Sequence, residues 1–309
     1  KRVGVIDVGT NSVKLLIADV HNGSVTAISE ESDQTRLGRG FYETHLLQPS
    51  AIQHTAEAIA LFSRKAFDAG ASAIRVIATS AARDAKNGDE LIRAIKNASG
   101  LDTEVISGEQ EADWAFRGVT SNPDLRSHPL LILDVGGGSA EFIVGEGGRQ
   151  LFRDSFNLGS VRLLEQMPPS DPPTRDELNH CRACVAQFLQ QTVIPRVKPV
   201  LDSCSDKNIQ LVGCGGTSTI LARIERQTES YDRDLIESTR LPAGRVRAIT
   251  EHLWSLPLAQ RQKIRGLPEK RADVILTGAI IFEAVLEQFG FPELRVSMRG
   301  LRFAAAMEM

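Results

Sequence analysis

The sequence predicts an α/β protein made of two similar domains, and three observations carry that expectation. The chain has 309 residues, about twice the ~150 residues of a typical domain. Short apolar runs alternate with segments of helical period, the pattern of strands interleaved with helices. A strand, a carboxylate, a glycine turn and a second strand near the N-terminus recur later in the chain, Asp7 aligning with Asp134 at an offset of 134 − 7 = 127. That spacing marks an internal duplication. Hydrophobic residues make up 42% and charged residues 24%, a globular composition that excludes disorder, collagen and a disulfide scaffold. With 36 Lys+Arg against 39 Asp+Glu, a net charge of −3 advertises neither a nucleic-acid nor a membrane surface, so any polyanion must be met by local cations.

The elements follow in order. Val3–Ile6, stopped by Gly9, and Val13–Ala18 read as a hairpin, and Asn22-Gly23 turns the chain into a third antiparallel strand at Val25–Ile28. Ser50 is the expected N-cap of a helix whose apolar positions Ile52, Ala56, Ile59, Ala60, Phe62 and Phe67 share a face, with Gly70 as its stop. A strand at Ile74–Ala78, a helix over Glu90–Ala98, a strand at Glu104–Ile106 and a helix over Gln110–Gly118 complete the first half. The polar stretch Thr120–Pro129 reads as a crossing between domains. The second copy opens with strands at Leu130–Val135 and Ala140–Val144 around its glycines. Pro168–Pro173 forms a stiff connection, and a helix runs from Arg175 toward Val193. A third strand-to-glycine signal, Ile209–Ser218, opens a helix through Ile224. Helices dominate after Ala243, broken by a strand at Leu294–Val296 and closed by a helix after Gly300.

Cys181, Cys184, Cys204 and Cys214 have irregular spacing, which suits reduced thiols in a cytoplasmic protein. Cys181-x-x-Cys184 lacks a second pair and lies on an amphipathic helix, so it is read as helix core and not as a metal site. No run approaches the ~18 apolar residues of a membrane span. Because the sequence starts at Lys1 and not Met, one or more residues are expected to precede it.

Asp7-x-Gly9-Thr10-Asn11-Ser12 and Asp134-x-Gly136-Gly137-Gly138-Ser139 each end a strand with a carboxylate, followed by small residues whose amides can approach a phosphate. Either motif alone could be an ordinary hairpin turn. Two facing copies would make a phosphate clamp, and Asp7 and Asp134 would serve a hard cation, Mg²⁺ or Mn²⁺, which needs few acidic ligands beside substrate phosphates.

With the third glycine motif at Gly213, these segments resemble the actin/Hsp70/sugar-kinase superfamily. Ala78–Asn87 (with Thr79-Ser80-Ala81-Ala82-Arg83), Ser107-Gly108-Glu109-Gln110-Glu111-Ala112 and Arg271–Gly278 are similar to signatures of the exopolyphosphatase/guanosine pentaphosphate phosphatase family. The resemblance runs from Val3 to Arg302 and is to the short two-domain form. It implies two ribonuclease-H-like, actin-like domains, residues 1–124 with the C-terminal helix 300–309 and residues 125–299, with an active-site cleft between them.

On that resemblance Glu111 is the catalytic base that takes a proton from the attacking water. Gln110 departs from the family's pattern, where a Glu is common. The phosphate-binding set is Thr10, Asn11, Ser12, Arg83, Gly136, Gly137, Gly138, Ser139, Gly215, Gly216 and Thr217, with Arg83 able to grip a phosphate through its planar guanidinium. Arg36-Leu37-Gly38-Arg39-Gly40 resembles a family loop, and Arg36 and Arg39 would line the path by which substrate enters. The metal-side set is Asp7, Asp134 and Glu141. Strand alternation puts Glu141 on the face of Ser139. The activity implied is Mg²⁺-dependent removal of the terminal phosphoryl of inorganic polyphosphate, with guanosine pentaphosphate as alternative substrate. The competing readings are an ATP-dependent kinase and a catalytically idle nucleotide sensor. Nucleic acid and membrane are not expected partners; a homodimer is in keeping with the family.

Overall fold

In the computed structural model, which describes all residues from Lys1 to Met309, β1 (Arg2–Val8) is buried at every position after its first residue. Such a run suits a strand covered on both faces. It pairs antiparallel with β2 (Val13–His21), which pairs antiparallel with β3 (Ser24–Asp33). The β2–β3 turn places Asn22 and Gly23 at φ 49° and 76°, the left-handed pair that matches strand twist in a two-residue hairpin. β4 (Ile74–Ala78) and β5 (Thr103–Val105) extend the sheet on the other side in parallel, giving the order β3-β2-β1-β4-β5. On one face Ile6, Val8 and Leu15 pack with Ile52, Ile59 and Phe62 of the helix Pro49–Asp68 and with Leu91 and Ile95 of the helix Gly88–Ser99. On the other, Val3, Val5 and Leu16 pack with Trp114 of the helix Gly108–Val119 and with Phe303 and Ala304 of the helix Leu301–Met307. The helix Pro49–Asp68 starts two residues earlier than a Ser50 cap implies. Its N-cap is Gln48, and Pro49 occupies the first turn in place of a Ser50 cap, because proline lacks the N–H that a cap would satisfy. The C-terminal helix is held to this unit by Glu308, which accepts from Trp114 Nε1 at 3.0 Å and pairs with Arg75 at 3.3 Å and with Arg117.

The chain divides into two units, Lys1–Ser121 with Gly300–Met309, and Asn122–Arg299. The second repeats the plan of the first. β6 (Leu130–Val135), β7 (Ala140–Glu146) and β8 (Arg149–Phe156) form an antiparallel meander, and β9 (Gln210–Cys214) pairs in parallel with β6. β10 (Arg240–Pro242) is an edge strand antiparallel to β11 (Glu293–Val296), which lies parallel to β9. The order β8-β7-β6-β9-β11 is therefore that of the first sheet, with β10 added at the edge.

Further features differ from the sequence expectation. β8 and β10 were not among the expected strands, the three residues of β10 being too few to show a period. The helix from Arg175 does not stop near Val193. It runs to Phe188, passes a π-helical turn at Leu189–Val193 and continues as Ile194–Ser203 despite an internal Pro199. Its apolar positions Leu178, Cys181, Val185, Leu189, Val193, Val197 and Leu201 remain in one buried row, and tertiary burial outweighs the local cost of proline. Burial pushes the Cys181 thiol up to about 12, as befits a core residue. All four cysteines are free, and no helix is long and apolar enough to cross a membrane.

Candidate active site

In the first unit the chemistry-bearing residues gather at the C-terminal ends of three parallel strands, the edge at which open α/β sheets bind ligands. The loop after β1 is closed by a hydrogen bond from Gly9 N to Ser12 O at 3.0 Å, and Asp7, Thr10, Asn11 and Ser12 are all buried. A later segment fixes its orientation: Arg36 N donates to Asn11 O at 3.0 Å and Gly38 N to Thr10 O at 2.7 Å. A side chain at Gly38 would collide with Thr10 Cγ2, so glycine is required for this approach. Arg36 sits at φ 53°, a left-handed conformation that costs a non-glycine residue about 1–2 kcal/mol. The structure thus brings Arg36 to the first glycine loop by its backbone, while Arg39 is exposed on the same segment.

After β4, Thr79 N donates to Val8 O at 3.2 Å, which draws the turn bearing Arg83 beside the end of β1. After β5, Ser107 caps the helix Gly108–Val119 by accepting from Gln110 N at 3.1 Å, and Glu111 sits in its first turn. These two elements bring Arg83 and Glu111 together: Nη1 of Arg83 donates to Glu111 Oε2 at 3.3 Å and to Ile106 O at 3.0 Å. Glu111 is therefore not an exposed helix decoration, its side chain being 12% accessible. Arg83 is committed in part to a carboxylate, so a bidentate grip on phosphate requires it to exchange that contact.

In the second unit Gly136 N donates to Ser139 O at 2.9 Å, repeating the Gly9–Ser12 turn. Asp134 and Glu141 are directly opposite in the β6–β7 register, which puts both carboxylates on one sheet face, their Cβ atoms ~5 Å apart. Glu141 is buried and accepts from Ser139 Oγ at 2.8 Å and Ser155 Oγ at 2.7 Å. The third glycine signal starts the helix Gly215–Arg226, whose first amides form an anion-binding terminus. Gly215, at φ 85°, approaches so closely that a side chain there would overlap Asp134 Oδ1. Gly216 lies beside the guanidinium of Arg271, and Thr217 beside Gly278. One cluster thus holds Asp134, Gly215, Gly216, Thr217 and Arg271.

Sequence reasoning missed four residues. Lys14 stands opposite Asp7 in the β1–β2 register, at the position equivalent to Glu141; the 127-residue alignment contained that signal. Arg271 lies in a segment noted for its resemblance but given no role. Ser155 and Arg162 carried no local signal, since each reaches the loop from a separate element.

Within the second unit, the opposed carboxylates Asp134 and Glu141 are of a kind that a divalent cation takes. Asp7 is 4% exposed, and burial of a carboxylate is costly unless a cation or donors meet it. Directly opposed carboxylates, such as Asp134 and Glu141, suit a cation for the same reason. No group of three or more His, Cys, Asp or Glu side chains is assembled, so the expected set of three is not seen as one site; the opposed pair Asp134 and Glu141 offers two carboxylates, within the one or two that Mg²⁺ takes beside its waters.

Two sheets of the same order, each with a glycine turn after its first strand, define a protein of the two-domain actin-like fold. The profile of the Ppx/GppA phosphatase family matches residues 16–307, and the chain belongs to that family. It is 32% identical to exopolyphosphatase 2 of Mycobacterium tuberculosis, over 100% of this chain and 98% of that protein. It is 29% identical to the guanosine-5'-triphosphate,3'-diphosphate pyrophosphatase of Vibrio atlanticus, over 98% of this chain but 58% of that one. Among solved structures, an exopolyphosphatase from Cytophaga hutchinsonii superposes with a TM-score of 0.87 at 28% identity, covering 100% of this chain and 98% of that one. The Aquifex aeolicus Ppx/GppA enzyme gives 0.78 at 31%, with 100% and 99% covered.

Proposed function

We propose that the chain is an exopolyphosphatase, which hydrolyses the terminal phosphoanhydride of inorganic polyphosphate and releases orthophosphate. The observation that carries this choice is the end-to-end match to an exopolyphosphatase, 98% of whose length is covered, against 58% of the pyrophosphatase relative.

The residues supply the parts that phosphoryl transfer needs, which are positioning and charge neutralisation more than base strength. Glu111 orients a water and accepts its proton as the water oxygen bonds to the terminal phosphorus. The P–O bond to the penultimate phosphate breaks, and its electrons leave on the oxygen of the shortened chain. Arg83 sets the orientation of Glu111 through its 3.3 Å contact. Amides of the loops at Thr10–Ser12 and Gly136–Ser139, and of the helix start at Gly215–Thr217, hold phosphoryl oxygens. The opposed carboxylates Asp134 and Glu141 would hold Mg²⁺, which when bound would neutralise charge on the phosphates. Four free thiols fit a reducing, cytoplasmic setting. A homodimer is part of the same reading and is tested by sedimentation.

Phosphate release is measured side by side on long polyphosphate, tripolyphosphate, guanosine pentaphosphate and ATP, with Mg²⁺ present. Long polyphosphate should give the highest kcat/KM. A higher value for guanosine pentaphosphate establishes the alternative substrate. Phosphoryl transfer from ATP to an added acceptor, with no hydrolysis of any of the four, establishes a kinase.

A further inference from the structure

We propose that Arg162 is the positioning residue of the second phosphate loop, fixing the Gly138–Ser139 peptide so that its N–H faces the ligand. This inference rests on the phosphate-binding reading of that loop.

Three successive carbonyls of the loop are engaged by the segment that follows β8. Gly136 O accepts from Ser160 N at 3.0 Å, and Gly137 O from Val161 N at 2.9 Å and Arg162 N at 3.0 Å. Gly138 O accepts from Arg162 Nε at 2.8 Å, and Nη2 of the same side chain donates to Asn157 Oδ1 at 3.2 Å. In a trans peptide the C=O and the following N–H point in opposite directions. Holding Gly138 O toward Arg162 therefore turns the N–H of Ser139 the other way. Flipping that peptide would present a carbonyl oxygen to a phosphoryl oxygen in place of a donor, and beside glycine such a flip meets little steric resistance. A tether is needed where the backbone is freest.

The first unit shows why a side chain does this work. The residue equivalent to Gly138 is Asn11 (138 − 127 = 11), and its carbonyl is held by a backbone amide, Arg36 N at 3.0 Å. In the second unit the backbone amides reach only as far as Gly137, and the guanidinium supplies the last donor. The second loop can therefore be released by a point substitution that leaves the main chain intact.

The test compares Arg162→Ala, Arg162→Lys and Arg162→Gln by thermal unfolding, by kinetics of phosphate release from long polyphosphate at several salt concentrations, and by NMR with the Gly138 carbonyl carbon and Ser139 nitrogen labelled. Arg162→Ala should fold, lose kcat/KM roughly tenfold or more, as expected for a lost charge-assisted hydrogen bond, and move the Gly138 carbonyl resonance upfield. Lys and Gln should each restore part of the activity, because either keeps an N–H donor. The slope of log KM against log salt should stay at the parent value, since the guanidinium contacts protein and not phosphate. Recovery by Lys alone with a slope reduced by about one in Ala would make Arg162 a direct phosphate ligand and overturn the proposal, as would parent activity in Arg162→Ala. If Ala fails to fold, Lys and Gln carry the comparison. If the parent releases no phosphate from polyphosphate, the functional reading falls by itself, and an unmoved Gly138 resonance in the folded variants then decides against Arg162 independently.

Discussion

The two units share a backbone plan and differ in the charges placed on it. In each, a carboxylate ends the first strand and the next glycine N–H closes onto the carbonyl of a serine three residues on, at 3.0 Å for Gly9–Ser12 and 2.9 Å for Gly136–Ser139. At the position opposite that carboxylate, the first unit has Lys14 and the second Glu141. The strand pair that ends the first loop therefore carries one acid and one base, and the pair that ends the second carries two acids; on the proposed function, two carboxylates are what Mg²⁺ takes beside its waters. The loops are tied differently as well, by backbone amides of Arg36 and Gly38 in one and by a helix start with the Arg162 side chain in the other. A duplicated hairpin keeps its geometry because the turn and register depend on small residues and hydrogen bonds, while one cross-strand difference changes the charge it carries.

The largest effect that breaks this comparison comes from a residue with no counterpart in the second unit. Glu111→Gln should lower hydrolysis by roughly a hundredfold or more, as for a lost general base, with thermal stability and polyphosphate affinity retained. Unchanged turnover would remove Glu111 from the base role. Arg83→Ala should follow, with a loss of about tenfold or more on every substrate, because it frees Glu111 from its 3.3 Å contact and removes a cation near the reacting phosphoryl. A normal rate would show that Glu111 needs no such partner.

The charge difference between the two loops is sharpened by Asp134→Asn. Removing one ligand charge from a site with few protein ligands should raise the Mg²⁺ concentration for half-activity by about tenfold, while saturating Mg²⁺ restores much of the rate. Lys14→Ala is its counterpart in the first unit and should raise KM with the Mg²⁺ titration unmoved. Superimposable Mg²⁺ titrations for parent and Asp134→Asn would remove Asp134 from the metal side.

The duplication was legible in the sequence because its signals are local: a carboxylate, glycines at fixed offsets and a strand on either side. Glu111 and Arg83 were legible only through resemblance, since nothing within Ser107–Ala112 reveals that Ile106 O and Arg83 Nη1 will meet. Arg162 and Ser155 stayed invisible because their partners lie 24 and 14 residues away on other elements. Lys14 was overlooked although the alignment of the two copies contains it; an apolar strand draws attention to its burial and away from its one charge. The helix was expected only as far as Val193; Pro195 and Pro199 follow, and the buried apolar row carries the helix past them.

The smallest expected effect concerns the arginines of the Arg36–Gly40 segment. Arg36 is tied to the first loop by its backbone, whereas Arg39 is exposed. On a chain of net charge −3, a polyanion is met by such local cations, and each contact releases counterions and steepens the salt dependence of binding. On the proposed path of entry, a long polyphosphate whose end is held at the glycine loops would run past the segment, and tripolyphosphate would end short of it. Arg39→Ala should therefore reduce the slope of log KM against log salt by about one for long chains, with a KM change of only a few-fold at moderate salt and little change for tripolyphosphate. The measurement is a salt series of initial rates on both substrates with the parent alongside. An equal loss on long and short chains would put Arg39 at the reacting end, and an unchanged slope on long chains would take it off the substrate's path altogether.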